Sequence, residues 1–403
     1  MPKGDDMKKI LLLGGSAQQV IAIKTAKALG YYTVLCDFLT DNPGQHEADK
    51  FYLVSTTDKD AVLKVATDEE IDGVLAYASD PAAPTAAYVA EKMGLNTNSL
   101  DSVETLCNKD KFRMFLATNG FNTPISKGFG ETDDISKDID KFSFPVIIKP
   151  VDSSGSKGIT VVYDKKDCET AISFAFSFSR SKRIIIEEFI EKKHKYLVGG
   201  DIFVKDGKVI LWGLLNCHRD AYVNNLVPVG KSYPLRLEQQ DEKSIKDTLQ
   251  SMVTKLGITF GAMNVELIVD NSGKVWPIDV GPRNGGNMIP DLLGDIFGID
   301  VVKMTVLSAM GEDINIKIGE GRKFCATHNL HANCNGIFDS VEFSEEIKQY
   351  IVRQNIYKAK GDKVEYFDNA AKAIGIVFLK FDSENEMYEI LDNINEHIQI
   401  TMQ

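Results

Sequence analysis

The first hundred or so residues alternate short apolar runs with helical stretches, and no other feature constrains the fold as strongly. KKILLLGG, YYTVLCDF and IDGVLAYASD read as buried strands, and each precedes a stretch whose apolar residues recur at helical spacing. Such alternation predicts a parallel, doubly wound α/β sheet with its ligands at the carboxyl ends of the strands. The loops at these ends are residues 14–16 and 77–80. They make Tyr77, Ser79 and Asp80 candidate substrate contacts; the alternative is that each loop is only a strand-to-helix turn.

The composition is that of an ordinary globular chain and narrows the class of partner. Over 403 residues, a hydrophobic content of 43% and a net charge of −12 disfavour disorder and general binding to nucleic acid or acidic membranes. No apolar run approaches the ~18 residues of a membrane-spanning helix. The six cysteines are scattered, which predicts reduced thiols in a cytoplasmic protein.

Beyond residue 108 the pattern changes to mixed helices and antiparallel strands. A helix is predicted over NKDKFRMFLATNG, strands over SFPVIIKP and RIIIEEFI, and a strand pair around the turn DNSG. The C-terminal part predicts an α+β unit with strands near FCATHNL and AIGIVFLKF and a closing helix at ENEMYEILDNINEHI. We therefore expect four segments, at residues 1–108, 109–190, 191–319 and 320–403.

Cys325, His328, His331 and Cys334 recur every third residue and suggest a zinc site. If this segment is a strand, its side chains alternate between two faces, so residues 325 and 331 point away from residues 328 and 334. One tetrahedral zinc ion cannot take four ligands from opposite faces. The spacing therefore favours packing roles over metal binding.

Lys149 precedes a loop of small residues, DSSGSKG at 152–158. A lysine at a strand end can neutralise phosphate oxygens, and small residues let backbone N–H groups close around them. The loop lacks the G-x-x-x-x-G-K-[ST] pattern of a Walker A motif. The pattern predicts a phosphate-binding loop, and the alternative is a hairpin with a solvated lysine.

Glu266 and Asp279 lie on either side of the turn DNSG, so two antiparallel strands would bring both carboxylates to one face. Two carboxylates suit Mg²⁺, which takes its other ligands from phosphates and water. Arg283 follows Asp279 by four residues, after Gly-Pro, where it would clamp a transferring phosphoryl group or an acyl phosphate. The alternative for the two carboxylates is a solvated strand face.

In this order, Lys109, Lys149 with its SSGSKG loop, the segment IIIEEFIE, Glu266, and the run from Asp279 to Gly286 resemble the ATP-grasp superfamily. The sequence is most similar to the carboxylate–amine ligase branch, which includes dipeptide-forming ligases, biotin carboxylase and purine-pathway ligases. The resemblance covers nearly the whole chain. It implies the ATP-grasp fold, with an N-terminal doubly wound parallel βα domain, a small glycine-loop lid domain and a C-terminal antiparallel α+β domain.

The resemblance also implies a role for each matching position. Two lysines, the small-residue loop and the hinge between lid and core would bind ATP, at Lys109, Lys149, Ser153, Ser154, Gly155, Ser156, Gly158, Glu187, Glu188, Phe189 and Ile190. Glu266, which is also a nucleotide contact, and Asp279 would hold magnesium. Arg283 would be the catalytic residue that stabilises the phosphorylated intermediate and contacts the substrate. Beside it, Gly285 and Gly286 would admit the substrate.

Several positions leave the family pattern or match it in two ways. The family often has Glu at position 279 and Asn at position 281, where this chain has Asp279 and Gly281. The shorter acid would shift the metal or retain a bridging water, and glycine removes one oxygen ligand. The ribose contact falls to His194 or Glu191. Lys111 competes for the position of the first nucleotide lysine.

The resemblance implies an ATP-dependent ligase that phosphorylates a carboxylate with Mg-ATP and couples the acyl phosphate to an amine, giving an amide, ADP and phosphate. Such chemistry needs positioning and charge neutralisation more than a covalent nucleophile. Its cofactors would be ATP with Mg²⁺ or Mn²⁺, and its partners small-molecule carboxylate and amine substrates, without nucleic acid or membrane.

A homodimer is the assembly that the resemblance implies. The acceptor pocket would combine residues 77–80, residues 217–234 and Arg283. Two alternatives stay open: a purine-pathway or carboxylating enzyme of the same fold, and a nucleotide-binding module without turnover.

Overall fold

The computed structural model describes residues 7–153, 155–220 and 223–403. Its N-terminal part contains, in chain order, β1 (Lys9–Leu13), α1 (Val20–Ala28), β2 (Tyr32–Asp37), β3 (Lys50–Leu53), α2 (Lys59–Glu69), β4 (Gly73–Leu75), α3 (Ala83–Met93) and α4 (Leu100–Cys107). The strands are parallel and have the order β3–β2–β1–β4.

This sheet is doubly wound, as the alternating pattern predicts. Odd-numbered residues of β1, such as Leu11, face α2 and α3, and even-numbered ones, such as Ile10, face α1. The strand β3 is an addition to the predicted elements. It is a short, partly exposed edge strand, so it lacks the buried apolar run that marks its neighbours.

The next part contains α5 (Lys109–Thr118), β5 (Ser126–Gly130), α6 (Ser136–Ile139), β6 (Val146–Pro150), β7 (Thr160–Val162), α7 (Cys168–Phe178) and β8 (Arg183–Glu188). The strands form an antiparallel sheet in the order β5–β8–β6–β7, which we call the lid sheet. The predicted helix starts at Lys109 because the Asn108 side chain accepts the N–H of Lys111. Phe112 and Leu116 are buried on its inner face.

The remaining elements are β9 (Leu197–Lys205), β10 (Lys208–Asp220), β11 (Asn224–Tyr233), α8 (Gln239–Leu256), β12 (Phe260–Val269), β13 (Val275–Gly281), α9 (Ile289–Phe297), α10 (Val301–Ala309), β14 (Phe324–Leu330), β15 (Gly336–Phe343), α11 (Glu345–Lys348), β16 (Ile351–Ile356), β17 (Lys363–Val364), β18 (Gly375–Phe381), α12 (Glu384–Asp392), α13 (Ile394–His397) and β19 (Ile398–Met402). Most of the strands form one large antiparallel sheet, ordered β13–β12–β9–β10–β11–β14–β18–β16.

The large sheet is covered on both faces and reaches into the C-terminal part of the chain. Helix α8 packs on one face, and α9 and α10 pack on the other. Strands β14, β18 and β16 extend this sheet, while β15, β17 and β19 form a small sheet of their own. The predicted closing helix is too long: α12 ends at Asp392, and a short turn of helix precedes the final strand.

Helix α10 joins the two halves of the molecule. Its Val302, Val306 and Ala309 pack against Ile10 of β1 and Ile23 of α1. The carboxyl ends of the parallel strands therefore lie close to the loop after β13. Among the described residues, no helix is both long enough and apolar enough to cross a membrane.

Candidate active site

Glu266 on β12 and Asp279 on β13 lie directly opposite each other in the strand register. Opposed residues of an antiparallel pair project from the same face. The turn alone would not give this pairing, because the register that starts with Val269 opposite Val275 would place Ile278 opposite Glu266. A β-bulge between Leu267 and Glu266 shifts the register by one residue and brings Asp279 opposite Glu266. In the part of the chain that the structure describes, no group of three or more His, Cys, Asp or Glu side chains could hold a metal ion. Two carboxylates still fit Mg²⁺, because phosphates and water complete its shell; the metal role stays a prediction.

Arg219 on β10 is a cation at this site that sequence reasoning did not single out. Its Nη2 lies 3.6 Å from Oε1 of Glu266. Within the described residues its Nη1 is buried and has no hydrogen-bond partner. A guanidinium beside a predicted metal carboxylate suits an anion such as a phosphate. The only sequence signal was its place in the segment 217–234, which matches no motif.

Arg283 is held by Asp80, although the two residues are 203 positions apart. Arg283 Nε donates to Asp80 Oδ1 at 2.7 Å, and Nη2 contacts Oδ2 at 2.5 Å. Burial acts to lower the pKa of the Arg283 guanidinium, but the Asp80 carboxylate outweighs it and raises the pKa above its usual range. Two residues assigned separately to substrate binding therefore form one bidentate ion pair.

This ion pair gives a physical reason for Gly281, where the family often has asparagine. A Cβ at position 281 would lie 2.5 Å from Asp80 Oδ1 and 3.4 Å from the guanidinium carbon of Arg283. A side chain here would displace the Asp80 carboxylate. The glycine at position 281, in place of the asparagine common in the family, therefore leaves the space that the Asp80 carboxylate needs to pair with Arg283.

Gly285 has a packing role in the structure rather than an open approach to substrate. Its N–H donates to both carboxylate oxygens of Asp201, at 2.9 and 2.8 Å. A Cβ at this position would come within 2.7 Å of Asn264, Asp201 and Ile289. Asp201 is 1% exposed, and burial raises the pKa of its carboxyl. Asp201 thus fixes the loop that carries Arg283.

The first βα loop also reaches this loop. Gln18 Oε1 accepts the N–H of Asn287 at 2.7 Å and would lie 3.2 Å from a Cβ at Gly286. Gln19 Nε2 donates to the carbonyl of Tyr77 at 2.9 Å. Asp37, at the end of β2, accepts the N–H of Gly15 at 2.7 Å. The two predicted ligand-facing loops and the loop after β13 are therefore neighbours.

Tyr77 and Ser79 take different places from the one predicted for them. The Tyr77 side chain is 3% exposed and packs in the core with α1 and α10. Burial raises the pKa of its phenol well above the ordinary value. Ser79 is partly buried, and its carbonyl accepts the N–H of Ala83 at the start of α3. Of the loop 77–80, Asp80 is the member that meets Arg283.

The two predicted nucleotide lysines are both buried and both held by the protein. Lys109 Nζ donates to the carbonyl of Ser153 at 2.9 Å. Lys149 Nζ lies 2.7 Å from Oε2 of Glu187. Burial lowers the pKa of Lys149 to about 8, while Glu187 acts to raise it. Burial acts to raise the pKa of Glu187, but Arg113 and Lys149 outweigh it and lower that pKa to about 2.

The glycine-rich loop runs from Ser153 to Gly158, and Ser154 lies outside the described residues. Gly155, Ser156 and Gly158 have left-handed backbone angles, with φ of 67°, 63° and 73°. Ser153 Oγ donates to the carbonyl of Lys157 at 2.9 Å. Ser156 Oγ donates at 2.9 Å to the carbonyl of Leu226 on β11, outside the lid sheet. The loop therefore docks across the groove between lid and core.

The predicted hinge, residues 187–190, overlaps the end of β8, whose last residue is Glu188. The N–H groups of Glu188 and Phe189 donate to the carbonyls of Ile125 and Pro145, at 2.9 and 3.0 Å. Adenine recognition by this backbone, which stays a prediction, therefore centres on Ile190 and the carbonyl groups. The Glu187 carboxylate points away from such a role, since it pairs with two cations.

His194, a candidate ribose contact, bonds to the backbone of the core. Its Nε2 accepts the N–H of Val269 at 2.9 Å, and its Nδ1 contacts the carbonyl of Tyr196. Burial lowers the pKa of His194. Glu191, the other candidate, is exposed.

A cavity of about 270 Å³ brings several of these residues together. Its wall consists of Asp80, Pro81, Pro84, Glu104, Leu106, Cys107, Asn108, Lys109, Lys111, Asp152, Ser153, Arg180 and Asp279. Four of them, Asp80, Lys109, Ser153 and Asp279, were predicted from the sequence. Lys111, the competing lysine, also lines the cavity and pairs with Glu104 at 2.8 Å.

The histidine and cysteine run departs from the predicted alternation. Strand β14 ends at Leu330, so His331 turns back and its ring centroid lies 5.5 Å from that of His328. His331 contacts Asp220 at 3.1 Å. The expectation that residues 328 and 331 face apart was therefore wrong, because it assumed a longer strand. Cys334 is exposed.

Comparison with known families identifies the central part of the chain. Residues 142–291 match the model of the ATP-grasp domain. The matched segment contains Lys149, the glycine-rich loop, Glu266, Asp279 and Arg283. This segment belongs to the ATP-grasp family. The family resemblance of the motifs and the fold that it implied are thereby confirmed.

Two similar sequences belong to enzymes that this chain matches over only part of their length. The carbamoyl phosphate synthase large chain of Clostridium botulinum is 26% identical over 313 residues, which is 73% of this chain and 27% of that protein. The formate-dependent phosphoribosylglycinamide formyltransferase of Prochlorococcus marinus is 34% identical over 193 residues, 46% of this chain and 48% of the relative. The chain thus spans about a quarter to a half of these relatives' length.

Solved structures share the ATP-grasp fold over almost the entire chain. An L-amino acid ligase from Bacillus licheniformis has a TM-score of 0.81 at 21% identity, covering 98% of this chain and 99% of that one. A phosphoribosylglycinamide synthetase from Anaerococcus prevotii has a TM-score of 0.76 at 22% identity, covering 99% and 100%. At such identities the similarity establishes the fold.

Proposed function

We propose that the protein is an ATP-dependent ligase that phosphorylates a carboxylate with Mg-ATP and couples the acyl phosphate to an amine. The observation that carries this proposal is that Asp279 lies opposite Glu266 and lines the same cavity as Lys109. Arg283 follows two residues after the end of the strand that carries Asp279. Carboxylates that can hold a metal, a lysine for phosphate and an arginine for the transferred group are the parts that phosphoryl transfer needs.

On this proposal ATP lies between the lid sheet and the large sheet. Lys109 and Lys149 neutralise phosphate oxygens, and the loop 153–158 closes over them. The docking of Ser156 on Leu226 supports this closure, because it holds the loop across the groove at 2.9 Å. A closed loop also excludes water, which would otherwise hydrolyse an acyl phosphate.

The reaction then needs two displacement steps. A substrate carboxylate oxygen attacks the γ-phosphorus, which gives an acyl phosphate and ADP. The amine attacks the acyl carbon and expels phosphate, which takes up the proton that the amine loses. Arg283 stabilises the charge on the transferred group, and Glu266 and Asp279 would hold magnesium, which when bound neutralises the phosphates.

Mg-ATP binding is the first test. Thermal unfolding is followed with and without Mg-ATP, and a ligand at about a hundred times its Kd should stabilise the fold by roughly 2–3 kcal/mol. No stabilisation at millimolar Mg-ATP would remove the nucleotide from the proposal.

Ligase turnover is the second test. ADP release is measured with a panel of carboxylates, each with and without a panel of amines, and the product is identified by mass spectrometry. ADP release that requires both substrates supports the ligase. Mg-ATP binding without ADP release under any pair would favour the module without turnover.

Substrates of the purine pathway belong in the panel because of one comparison. The relative that is 34% identical uses formate, according to its name, and acts on phosphoribosylglycinamide. Formate is a carboxylate and phosphoribosylglycinamide carries an amine, so this enzyme fits the same reaction class. A panel containing both, with amino acids and bicarbonate beside them, separates these candidates.

A further inference from the structure

We infer that Arg113, on helix α5, is a positioning residue that controls how Lys149 meets the nucleotide and ties the lid sheet to the strand carrying Asp279. The inference rests on the proposed function, since it takes Lys149 to bind ATP phosphates. Arg113 belongs to none of the motifs on which the family assignment depends. Its role is inferred from its contacts in the structure alone.

Arg113 makes more buried polar contacts than its place in a helix requires. Its Nε and Nη2 donate to the two carboxylate oxygens of Glu187 at 2.8 and 3.2 Å. The same guanidinium donates to the carbonyls of Pro277 and Ile278, at 3.1 and 2.8 Å. Those carbonyls directly precede Asp279 on β13. One side chain therefore spans α5, the lid sheet and the large sheet.

Lys149 shares the carboxylate with Arg113. Lys149 Nζ lies 2.7 Å from Glu187 Oε2, and the three side chains form a cluster in which Arg113, Lys149 and Glu187 are 3%, 4% and 3% exposed. A bidentate arginine occupies both oxygens of a carboxylate. With Arg113 in place, Lys149 contacts only Oε2 of Glu187, which Arg113 also contacts. The Lys149 ammonium has three N–H donors, so two remain for other acceptors. Arg113 thereby leaves Lys149 able to take phosphate oxygens as well.

Without Arg113, the balance changes in a definite direction. Glu187 would face one cation instead of two, so it would bind Lys149 more closely and hold it away from the nucleotide. The hydrogen bonds by which Arg113 links the lid sheet to β13 would also be lost. A purely structural arginine would cost stability when removed but would leave the behaviour of Lys149 unchanged.

The pH dependence of ATP binding separates these cases. The charged groups that face Lys149 are Glu187 from β8 and Arg113 and Lys109 from α5. The pKa of Lys149 is lowered to about 8, because the lowering by burial, Arg113 and Lys109 together outweighs the raising by Glu187. ATP binding should therefore weaken as the pH rises through about 8. Removing a neighbouring cation moves that loss to higher pH, and removing the carboxylate moves it to lower pH.

The experiment measures the Kd for Mg-ATP by calorimetry from about pH 6.5 to 9.5. Arg113→Met should weaken binding roughly tenfold at neutral pH and shift the alkaline loss upward. Glu187→Gln should shift it downward. Arg113→Lys keeps the charge but lacks the planar fork, so it should keep the wild-type pH of the loss with an intermediate affinity. No shift in either of the first two variants would overturn the inference.

Arg183→Met is the matched control. Arg183 on β8 pairs with Asp110 on α5 at 2.8 Å, so it joins the same two elements at an exposed position. Its Kd and pH profile should equal those of the wild type. If Arg113→Met does not fold, Arg113→Lys carries the test, and a wild-type affinity there would overturn the inference. If the wild type itself fails to bind Mg-ATP, the proposed function fails instead, and the two failures are distinct.

Discussion

Two charged centres of this protein, the Arg113–Lys149–Glu187 cluster and the Asp80–Arg283 pair, are built differently. In the cluster, two cations share one carboxylate and all three side chains are at most 5% exposed. In the pair, one cation meets one carboxylate, and the side chains retain 12% and 19% exposure. The cluster joins α5 to the lid sheet, and the pair joins the N-terminal sheet to the loop after β13.

The difference follows from the cost of removing charges from water. Breaking a deeply buried ion pair is costly, because the charge that remains has lost its contact with water and has no partner to compensate for that loss. A partly exposed pair loses less when it opens, so its partners can be exchanged for a ligand. We therefore expect the cluster to govern stability and nucleotide affinity, and the pair to govern turnover.

The largest expected effect is on stability, from Glu187→Gln. This change leaves two buried cations without a carboxylate and should cost about 3–5 kcal/mol of unfolding free energy, measured by urea denaturation at neutral pH. Asp80→Asn should cost less, about 1–3 kcal/mol, because the Arg283 and Asp80 side chains keep 12% and 19% exposure and the asparagine amide oxygen can still accept one hydrogen bond. Equal losses in the two variants would remove the contrast between the centres.

Acidification sharpens the same comparison. The pKa of Glu187 is lowered from 4.5 to about 2, so its stabilising contribution is complete above about pH 4.5 and is lost as the pH falls toward 2. The stability difference between wild type and Glu187→Gln should therefore narrow over that interval. A difference that stays constant down to pH 2 would contradict the assignment of the charge to Glu187.

The next effect is on turnover, from Arg283→Ala. Loss of one charged donor at the transferred group commonly costs about 3 kcal/mol in the barrier, roughly a hundredfold in rate. ADP release should fall accordingly while the Kd for ATP changes little. Lys149→Ala should act in the opposite sense and weaken ATP binding first. Near wild-type turnover in Arg283→Ala would reduce this arginine to a structural partner of Asp80.

Gly281→Asn, which restores the common family residue, should be harmful here. Its Cβ would lie 2.5 Å from Asp80 Oδ1, so we expect a loss of about 1–3 kcal/mol in stability and lower turnover. Thermal unfolding and ADP release measure the two effects. Combining Gly281→Asn with Asp80→Gly should recover stability, because the clashing carboxylate is gone. Full activity of the Gly281→Asn variant would show that the Asp80 side chain can move to another position without loss of function.

The smallest effect concerns the glycine-rich loop. Ser156→Ala removes the hydrogen bond to Leu226. The free energy of closing the loop should become about 1 kcal/mol less favourable, which would be seen as roughly fivefold weaker ATP binding. Amide exchange in residues 155–158 should be slowed by Mg-ATP, and less so in the variant. Ser177→Ala is the control, since Ser177 Oγ bonds within α7 to the carbonyl of Phe174. Equal exchange with and without nucleotide would argue against a moving loop.

Local sequence patterns predicted most of the fold. The apolar run of β1 formed a strand because its alternate residues pack on helices of opposite faces. The DNSG turn joined the two paired strands that carry Glu266 and Asp279, although a β-bulge had to shift the register before the two carboxylates met. The failures were also local in origin. Edge strand β3 lacks a buried run, and His331 faces His328 because β14 ends one residue before it.

The site residues divide in the same way. Lys149, Asp279 and Arg283 could be proposed from the sequence because each lies in a short pattern of recognisable chemistry. Arg113 and Arg219 could not, since each is an ordinary residue of a helix or strand until its partners are known. The same holds for Tyr77, whose loop is correctly placed but whose ring lies in the core.

The sequence by itself determined the order of strands and helices, the strand pair that carries Glu266 and Asp279, and the resemblance to the ATP-grasp family. These depend on spacing within a few tens of residues, where hydrophobic periodicity and turn chemistry act. Only the tertiary structure decided which charges meet. Arg283 pairs with a residue 203 positions away and Arg113 with one 74 positions away, and such pairing follows from how separate sheets pack and from the need of each buried charge for a partner.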